Sequence, residues 1–258
     1  PAPHVLEDGV GLELAGLSDE WRARPDMNPV WTAGYRASIV ARARFIEDLV
    51  AEEAARGLSQ YVILGAGLDS YVQRHPEMAG KLTVYELDEP ATQAWKRGRL
   101  EQLGYGVPGW LRLVPVDFEK DASWRRALEA SGFQKDKGAL TVSTGVSMYL
   151  TREAIRDTLR QAAGLAPGSI LAMTFLLPLE LVDKAEQAQY AMVQEKAKEA
   201  GTPFRSLFTP DEMLALAREC GFQKVRHVGR DEMVARYFAA RPDGLRPASG
   251  EEFLVARV

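Results

Sequence analysis

Five consecutive residues, Gly65-Ala66-Gly67-Leu68-Asp69, carry the strongest chemical signal in the chain. They follow the apolar run Tyr61-Val62-Ile63-Leu64 and lead into a helical stretch, so they form a turn at the carboxyl end of a buried strand. Glycines in such a turn let the backbone pass close to a ligand, and amides at the start of the following helix are expected to point into the crevice. Two glycines define only a mononucleotide-binding turn, and a strand-to-helix turn without a ligand can carry the same residues.

Neighbouring residues narrow the ligand. A dinucleotide fingerprint asks for a third glycine three positions after Gly67, where this chain has Ser70. Asp69 puts an anion beside the loop, which repels a pyrophosphate and attracts an ammonium group. About 20 residues further on, the next strand ends in Glu86-Leu87-Asp88, where acids can accept hydrogen bonds from ribose hydroxyls. The third strand ends in Asp117-Phe118, an acid for the adenine amino group and a ring for its face. Three acidic strand ends around one crevice favour a cationic, ribose-bearing cofactor.

The elements that must position these residues are readable from the hydrophobic pattern. Short β-rich runs alternate with helical stretches, which specifies an α/β fold with a mostly parallel sheet and helices on both faces. Residues 34–56 read as a helix with Ile39, Ala43, Ile46 and Val50 on its inward stripe, ended by Gly57. Strands are expected at 61–64, 82–87, 111–116, 139–143 and 169–175, with helices at 91–103, from Ser123 to about 130, and after Thr151. Thr209-Pro210-Asp211-Glu212 combines a capping box with proline at the first helical position. Residues 222–228 and 253–258 read as two terminal strands with no helix between them, so one must run antiparallel. Seven strands with one reversed is the expected sheet. Residues 176–208 form a long excursion, helical between 180 and 199, that could cover the site as a lid, and residues 1–56 form an N-terminal helical cap on a single domain spanning 1–258.

Composition excludes several function classes. The 258 residues are 46% hydrophobic and 26% charged, ordinary for a globular chain. A net charge of −4 gives no basic face for nucleic acid, so no such partner is expected. Cys220 is the only cysteine, which rules out an internal disulfide and a thiolate zinc centre. His4, His75 and His227 show no metal-ligand spacing, so no metal is expected. The most apolar stretch, about 170–182, is too short for a membrane span and carries Thr174, Pro178 and Glu180. A cytoplasmic location is the expectation.

With these motifs in hand, the sequence resembles the leucine carboxyl methyltransferase family, and within it the bacterial O-methyltransferases. The matching segments are Ala41-Arg42-Ala43-Arg44-Phe45-Ile46-Glu47-Asp48, Ile63-Leu64-Gly65-Ala66-Gly67-Leu68-Asp69-Ser70 and Tyr85-Glu86-Leu87-Asp88-Glu89-Pro90. Ala94-Trp95-Lys96-Arg97, Val116-Asp117-Phe118 and Gly145-Val146-Ser147-Met148-Tyr149-Leu150 extend the match, which covers roughly residues 4–225. The resemblance implies a class I, Rossmann-like methyltransferase fold, S-adenosylmethionine as donor and transfer to oxygen. It implies that Gly65, Ala66, Gly67 and Asp69 lie along the methionine part of the cofactor, Glu86, Leu87 and Asp88 at its ribose, and Asp117 and Phe118 at its adenine. An arginine of the first long helix would reach the cofactor carboxylate, and both Arg36 and Arg42 are candidates, Arg42 fitting the motif better. The chain departs from the family at Ser143-Thr144, where an acid usually precedes the Gly-Val-x-x-Tyr-Leu stretch; Thr144 keeps a hydroxyl for the cofactor's amino group.

A sulfonium methyl is already activated, so placing a nucleophile in line with it supplies much of the rate. A carboxylate acceptor needs no general base, whereas a hydroxyl usually does. No histidine is an evident base, which tilts the reading toward a carboxyl acceptor on a small molecule; Tyr149, after the fourth strand, is the candidate for positioning it. Protein C-terminal carboxyl methylation, a non-catalytic S-adenosylmethionine-binding protein and an NAD-dependent oxidoreductase remain as alternatives.

Overall fold

The computed structural model describes residues 3–24, 27–118 and 123–258. Its centre is strand β1 (Gln60–Leu64), buried along its whole length. Parallel partners flank it: β2 (Thr83–Asp88) on one side, with Ile63 opposite Glu86, and β4 (Leu140–Ser143) on the other. Outward from β2 lies β3 (Leu111–Pro115), and outward from β4 lies β5 (Ile170–Leu176), both parallel. Strand β7 (Glu251–Arg257) pairs antiparallel with β5 and with β6 (Lys224–Val228), giving the order β3-β2-β1-β4-β5-β7-β6. One reversed strand among seven is the sheet expected from the sequence. Inner strands buried on both faces read as unbroken apolar runs, which is why β1 and β5 were legible.

Two apolar layers cover the sheet. On one face, Leu64, Leu87, Met173 and Leu254 pack with Trp124 and Leu128 of helix α5 (Trp124–Ala130), Ile155 and Leu159 of α6 (Arg152–Ala163), and Met213 of α8 (Pro210–Glu219). On the other, Ile63, Val142 and Ala172 pack with α2 (Ala33–Ala55) and with Met233 of a helix at Arg230–Tyr237, numbered α9 below. Helix α4 (Pro90–Gln102) follows β2, and α1 (Gly9–Ala15) is capped by Asp8, whose side chain accepts from Gly11 N. Ser123, Thr151 and Thr209 cap α5, α6 and α8 through their side chains, the last with the full capping box. Among the described residues, no helix is long and apolar enough to cross a membrane.

Four local expectations need correction. A helix, α9, does connect β6 and β7; it has only eight residues, half of them charged, and its apolar contact is limited to buried Met233 with Val234 and Tyr237 partly buried beside it, too short a stripe to announce a helix. Helix α3 after the glycine turn is only Tyr71–Arg74, because Pro76 follows and disfavours helix at the preceding residue. The excursion after β5 begins with a single 3-10 turn at Leu179–Leu181, and its helix α7 starts later, at Gln187–Glu199. Here Val182 turns into the core and Asp183 N donates to Ser249 Oγ, which holds the chain extended before the helix. On α2, Ile46 and Val50 are buried as expected, but the buried face runs through Ala37, Ala41, Phe45 and Leu49 with them, and Ile39 is 52% exposed.

Candidate functional site

The strand order reverses between β1 and β4, so the loops leaving these two strands splay apart and open a crevice at their carboxyl ends. Gly65 and Gly67 occupy left-handed conformations, φ +75° and +49°. Their reasons for being glycine differ. A Cβ on Gly65 would collide with Cγ2 of Val146, whereas a Cβ on Gly67 would meet nothing within 4 Å. Gly65 is required by packing, and Gly67 leaves open room on the cleft side.

The turn does not cradle an anion, contrary to the expectation from its position. Gly65 N and Ala66 N both donate to Leu87 O, at 2.8 and 3.2 Å, and Asp69 N donates to Ala66 O at 2.8 Å. Gly67 N donates to Asp88 Oδ2 at 2.5 Å, and Tyr71 N to Asp69 Oδ1 at 2.9 Å. These five amides are spent inside the protein, so none of them is free to bind a pyrophosphate.

The cleft itself encloses about 390 Å³ between the turn, α2 and Thr144. Asp8, Glu47 and Asp69 supply negative charge, and Arg42 and Arg74 supply positive charge. Arg74 is committed to carboxylates: its Nε lies 3.3 Å from Asp8 Oδ1 and its Nη2 contacts Glu47. Glu47 lies below the ordinary carboxylate range because hydrogen bonds from His75 and Arg74 outweigh its burial. Asp69 is shifted the other way, raised by burial that Lys96 only partly offsets. A cationic ligand group would stabilise its charged form. Arg42 Nη1 pairs with Glu251 Oε1 at 2.8 Å, and its guanidinium lies against Gly145, where a Cβ would sit 2.9 Å from Nη1. Gly145, at φ +70°, is therefore what admits Arg42 to the mouth of β4 beside Thr144, and its N donates to Thr174 Oγ1 at 2.8 Å. A zwitterion with an ammonium toward Asp69 and a carboxylate toward Arg42 matches this charge distribution.

The structure separates the other sequence candidates. Glu86 is not at the surface of the crevice: it is 1% exposed, and its Oε2 takes a 2.5 Å ion pair from Lys96 Nζ, also buried. Burial pushes its carboxyl up to about 7 even against the Lys96 ammonium, and Oε1 has no hydrogen-bond partner. The ribose expectation for Glu86 is corrected; it sits beneath the turn and leaves Asp88 as the acid at the strand end. Asp88 already accepts from Gly67 N and, through Oδ1, from Glu89 N at 2.7 Å. Leu87 contributes its carbonyl to the turn, its side chain being fully buried. Asp117 and Phe118 follow β3 at the same edge, half-buried, with Phe118 packed on the core. Tyr149 is 42% exposed, stacks edge-on against Phe204 at 5.7 Å, and lines neither the cleft nor the cavity beside it. The positioning expectation for Tyr149 thus has no geometric support.

Arg36 lines that adjoining cavity, of about 710 Å³, which shares Leu6 and Ile39 with the cleft. His4 also lines it, its Nδ1 3.0 Å from Glu7 Oε1. Sequence reading missed Glu47, Asp8, Glu251 and Gly145. The Glu47 segment was quoted as a match, but its direction on α2 could be known only once the buried stripe was known.

A mostly parallel seven-stranded sheet with a reversed strand next to its edge and a glycine turn after β1 form the class I, Rossmann-like methyltransferase fold. Comparison with known proteins agrees at each level. The family model for leucine carboxyl methyltransferase matches residues 2–163. YktD of Bacillus subtilis (strain 168), provisionally described as an S-adenosyl-L-methionine-dependent methyltransferase, is 33% identical over 232 residues, covering 89% of this chain and 76% of its own. A provisionally described methyltransferase from Thermobifida fusca YX superposes with a TM-score of 0.63 at 18% identity, over 96% of this chain and 92% of the other. A DUF574 family protein from Streptomyces avermitilis does so with a TM-score of 0.62 at 20% identity, over 96% and 95%. The chain belongs to the leucine carboxyl methyltransferase family, and S-adenosylmethionine is its cofactor.

Proposed function

We propose that the chain methylates an oxygen, carboxylate or hydroxyl, of a small-molecule acceptor. The observation that carries the site assignment is the turn with its amides internally bonded and both charge signs in the cleft beside it. That cleft suits the amino-acid end of S-adenosylmethionine and not a pyrophosphate. In this reading Arg42 binds the cofactor carboxylate, Asp69 its ammonium, and Thr144 and the Gly65–Gly67 turn flank the methionine chain. Asp88 takes the ribose, and Asp117 and Phe118 take the adenine. S-adenosylmethionine bound there would supply an activated sulfonium methyl for transfer to the acceptor oxygen. The protein's part is to exclude water and align the oxygen. The cavity of about 710 Å³ adjoining the cleft at Ile39 and Leu6 supports a small acceptor. A carboxylate would need no base; a hydroxyl would surrender its proton, and His4, oriented by Glu7 on the cavity wall, is the nearest imidazole by lining.

The test is incubation with methyl-labelled S-adenosylmethionine and a panel of carboxylic acids, phenols and alcohols. Label recovered in product and released as methanol by mild base identifies an ester, and base-stable label identifies an ether. Label on nitrogen or carbon products alone would overturn transfer to oxygen.

A further inference from the structure

The cavity beside the cofactor cleft has two sides of different chemistry. Its floor is apolar, formed by Leu6, Ala33, Ala37, Ile39, Val40 and Leu245. Its rim carries three arginines, Arg36, Arg241 and Arg246, against two acids, Glu186 and Asp243. Both acids are already engaged, Glu186 away from the rim arginines and Asp243 by Arg241 of the rim itself, which leaves Arg36 and Arg246. Glu186 Oε2 accepts from Ser249 N and Oγ, with Arg230 near its other oxygen, and Asp243 is bound by Arg241. Among the described residues Arg36 has no carboxylate partner: its Nη2 donates to Pro29 O at 2.6 Å. Arg246 is exposed and forms no ion pair among the described residues. Arg36 and Arg246 both line this cavity, and the group that a guanidinium pairs with best is a carboxylate or similar oxyanion.

The run of α2 fixes where that anion would sit. Arg36, Ile39 and Ala43 follow one another along one side of the helix, from the cavity, through the shared residue Ile39, into the cleft. Arg36 and Ala43 are seven residues apart, so the anion subsite begins roughly 10 Å along the helix from the cofactor end. An anion held there is a handle and not the reacting oxygen.

Resting on the methyltransferase reading above, we infer that the acceptor is an amphipathic organic anion, held at one end by Arg36 and Arg246 and methylated at the other. Its apolar body lies across the floor, and its nucleophilic oxygen reaches the junction at Leu6 and Ile39. The experiment is calorimetric titration of the protein, saturated with S-adenosylhomocysteine, with 8-phenyloctanoate and with its neutral amide. The carboxylate should bind at least tenfold more tightly than the amide. Arg36→Gln with Arg246→Gln should erase that difference, while S-adenosylhomocysteine affinity stays within twofold. Arg246→Gln alone, at an exposed and unpaired position where folding is not at risk, should reduce the difference at least threefold. Equal binding of acid and amide, no binding of either, or a preference that survives the double substitution overturns the inference. Failure of the wild-type protein to bind S-adenosylhomocysteine would instead overturn the underlying reading of the cleft.

Discussion

Replacing Lys96 with methionine removes the only ion pair of Glu86 among the described residues while keeping a chain of similar length in its buried slot. In the wild-type fold the two side chains are 1% and 2% exposed and 2.5 Å apart, and the carboxyl is pushed from 4.5 up to about 7. A carboxyl raised on folding lends stability that is fully present below pH 4.5 and is lost as pH rises toward 7. Without the ammonium the carboxyl rises further, so the loss continues beyond pH 7. Breaking a buried pair can cost about 3–5 kcal/mol when the stranded charge has no escape. Here it escapes by protonation, which limits the pH-dependent cost to about 1.4 kcal/mol for each pH unit above 7. Urea denaturation followed by tryptophan fluorescence, at pH 6 and pH 8, should show the gap between wild type and Lys96→Met widening by about 1.4 kcal/mol. The double substitution Lys96→Met, Glu86→Leu should remove that pH dependence. A gap equal at the two pH values would refute the assignment of Glu86 as a buried, proton-coupled partner of Lys96.

The two turn glycines should fail differently. Gly65→Ala meets left-handed strain of about 1–2 kcal/mol and a collision with Val146 worth about 1–3, so urea midpoints should show a loss of about 2–5 kcal/mol. Adding Val146→Ala should recover part of it. Gly67→Ala has open space and should lose only about 1–2 kcal/mol of stability, yet weaken S-adenosylhomocysteine binding more than tenfold in calorimetry. Thr209→Ala removes the side-chain arm of the α8 capping box, in which Thr209 Oγ1 accepts from Glu212 N, and should cost about 0.5–2 kcal/mol in the same denaturation assay with cofactor affinity unchanged.

Legibility in the sequence followed physical cause residue by residue. Val62, Leu64, Leu171 and Met173 lie in strands buried on both faces, so their runs are uninterrupted and their strands were found within a residue or two. The Thr209 box and the Thr151 cap are local interactions written in adjacent residues. Ile39 was misassigned because α2 has two apolar sides, one on the core and one on the cleft, and period alone does not say which is which. Helix α9 was missed because it is short and charged at Arg230, Asp231, Glu232 and Arg236, leaving only Met233, Val234 and Tyr237 as an apolar face. Glu86 was misread because its partner is ten residues away on another element, and a buried lysine is rare enough that sequence gives no reason to expect one. Arg42 was preferred to Arg36 only on its fit to the motif; Gly145 and Glu251, over 100 residues further on, are what hold it at the cleft.

The central claim is that the cleft between the Gly65 turn and Arg42 holds the amino-acid end of S-adenosylmethionine. Calorimetric titration of S-adenosylhomocysteine into wild type and Arg42→Gln, with NAD as the control ligand, tests it most directly. The account predicts one site per chain in the wild type, at least a tenfold loss in Arg42→Gln with folding intact, and no heat with NAD. Unchanged affinity in Arg42→Gln, or binding of NAD in place of S-adenosylhomocysteine, would contradict it.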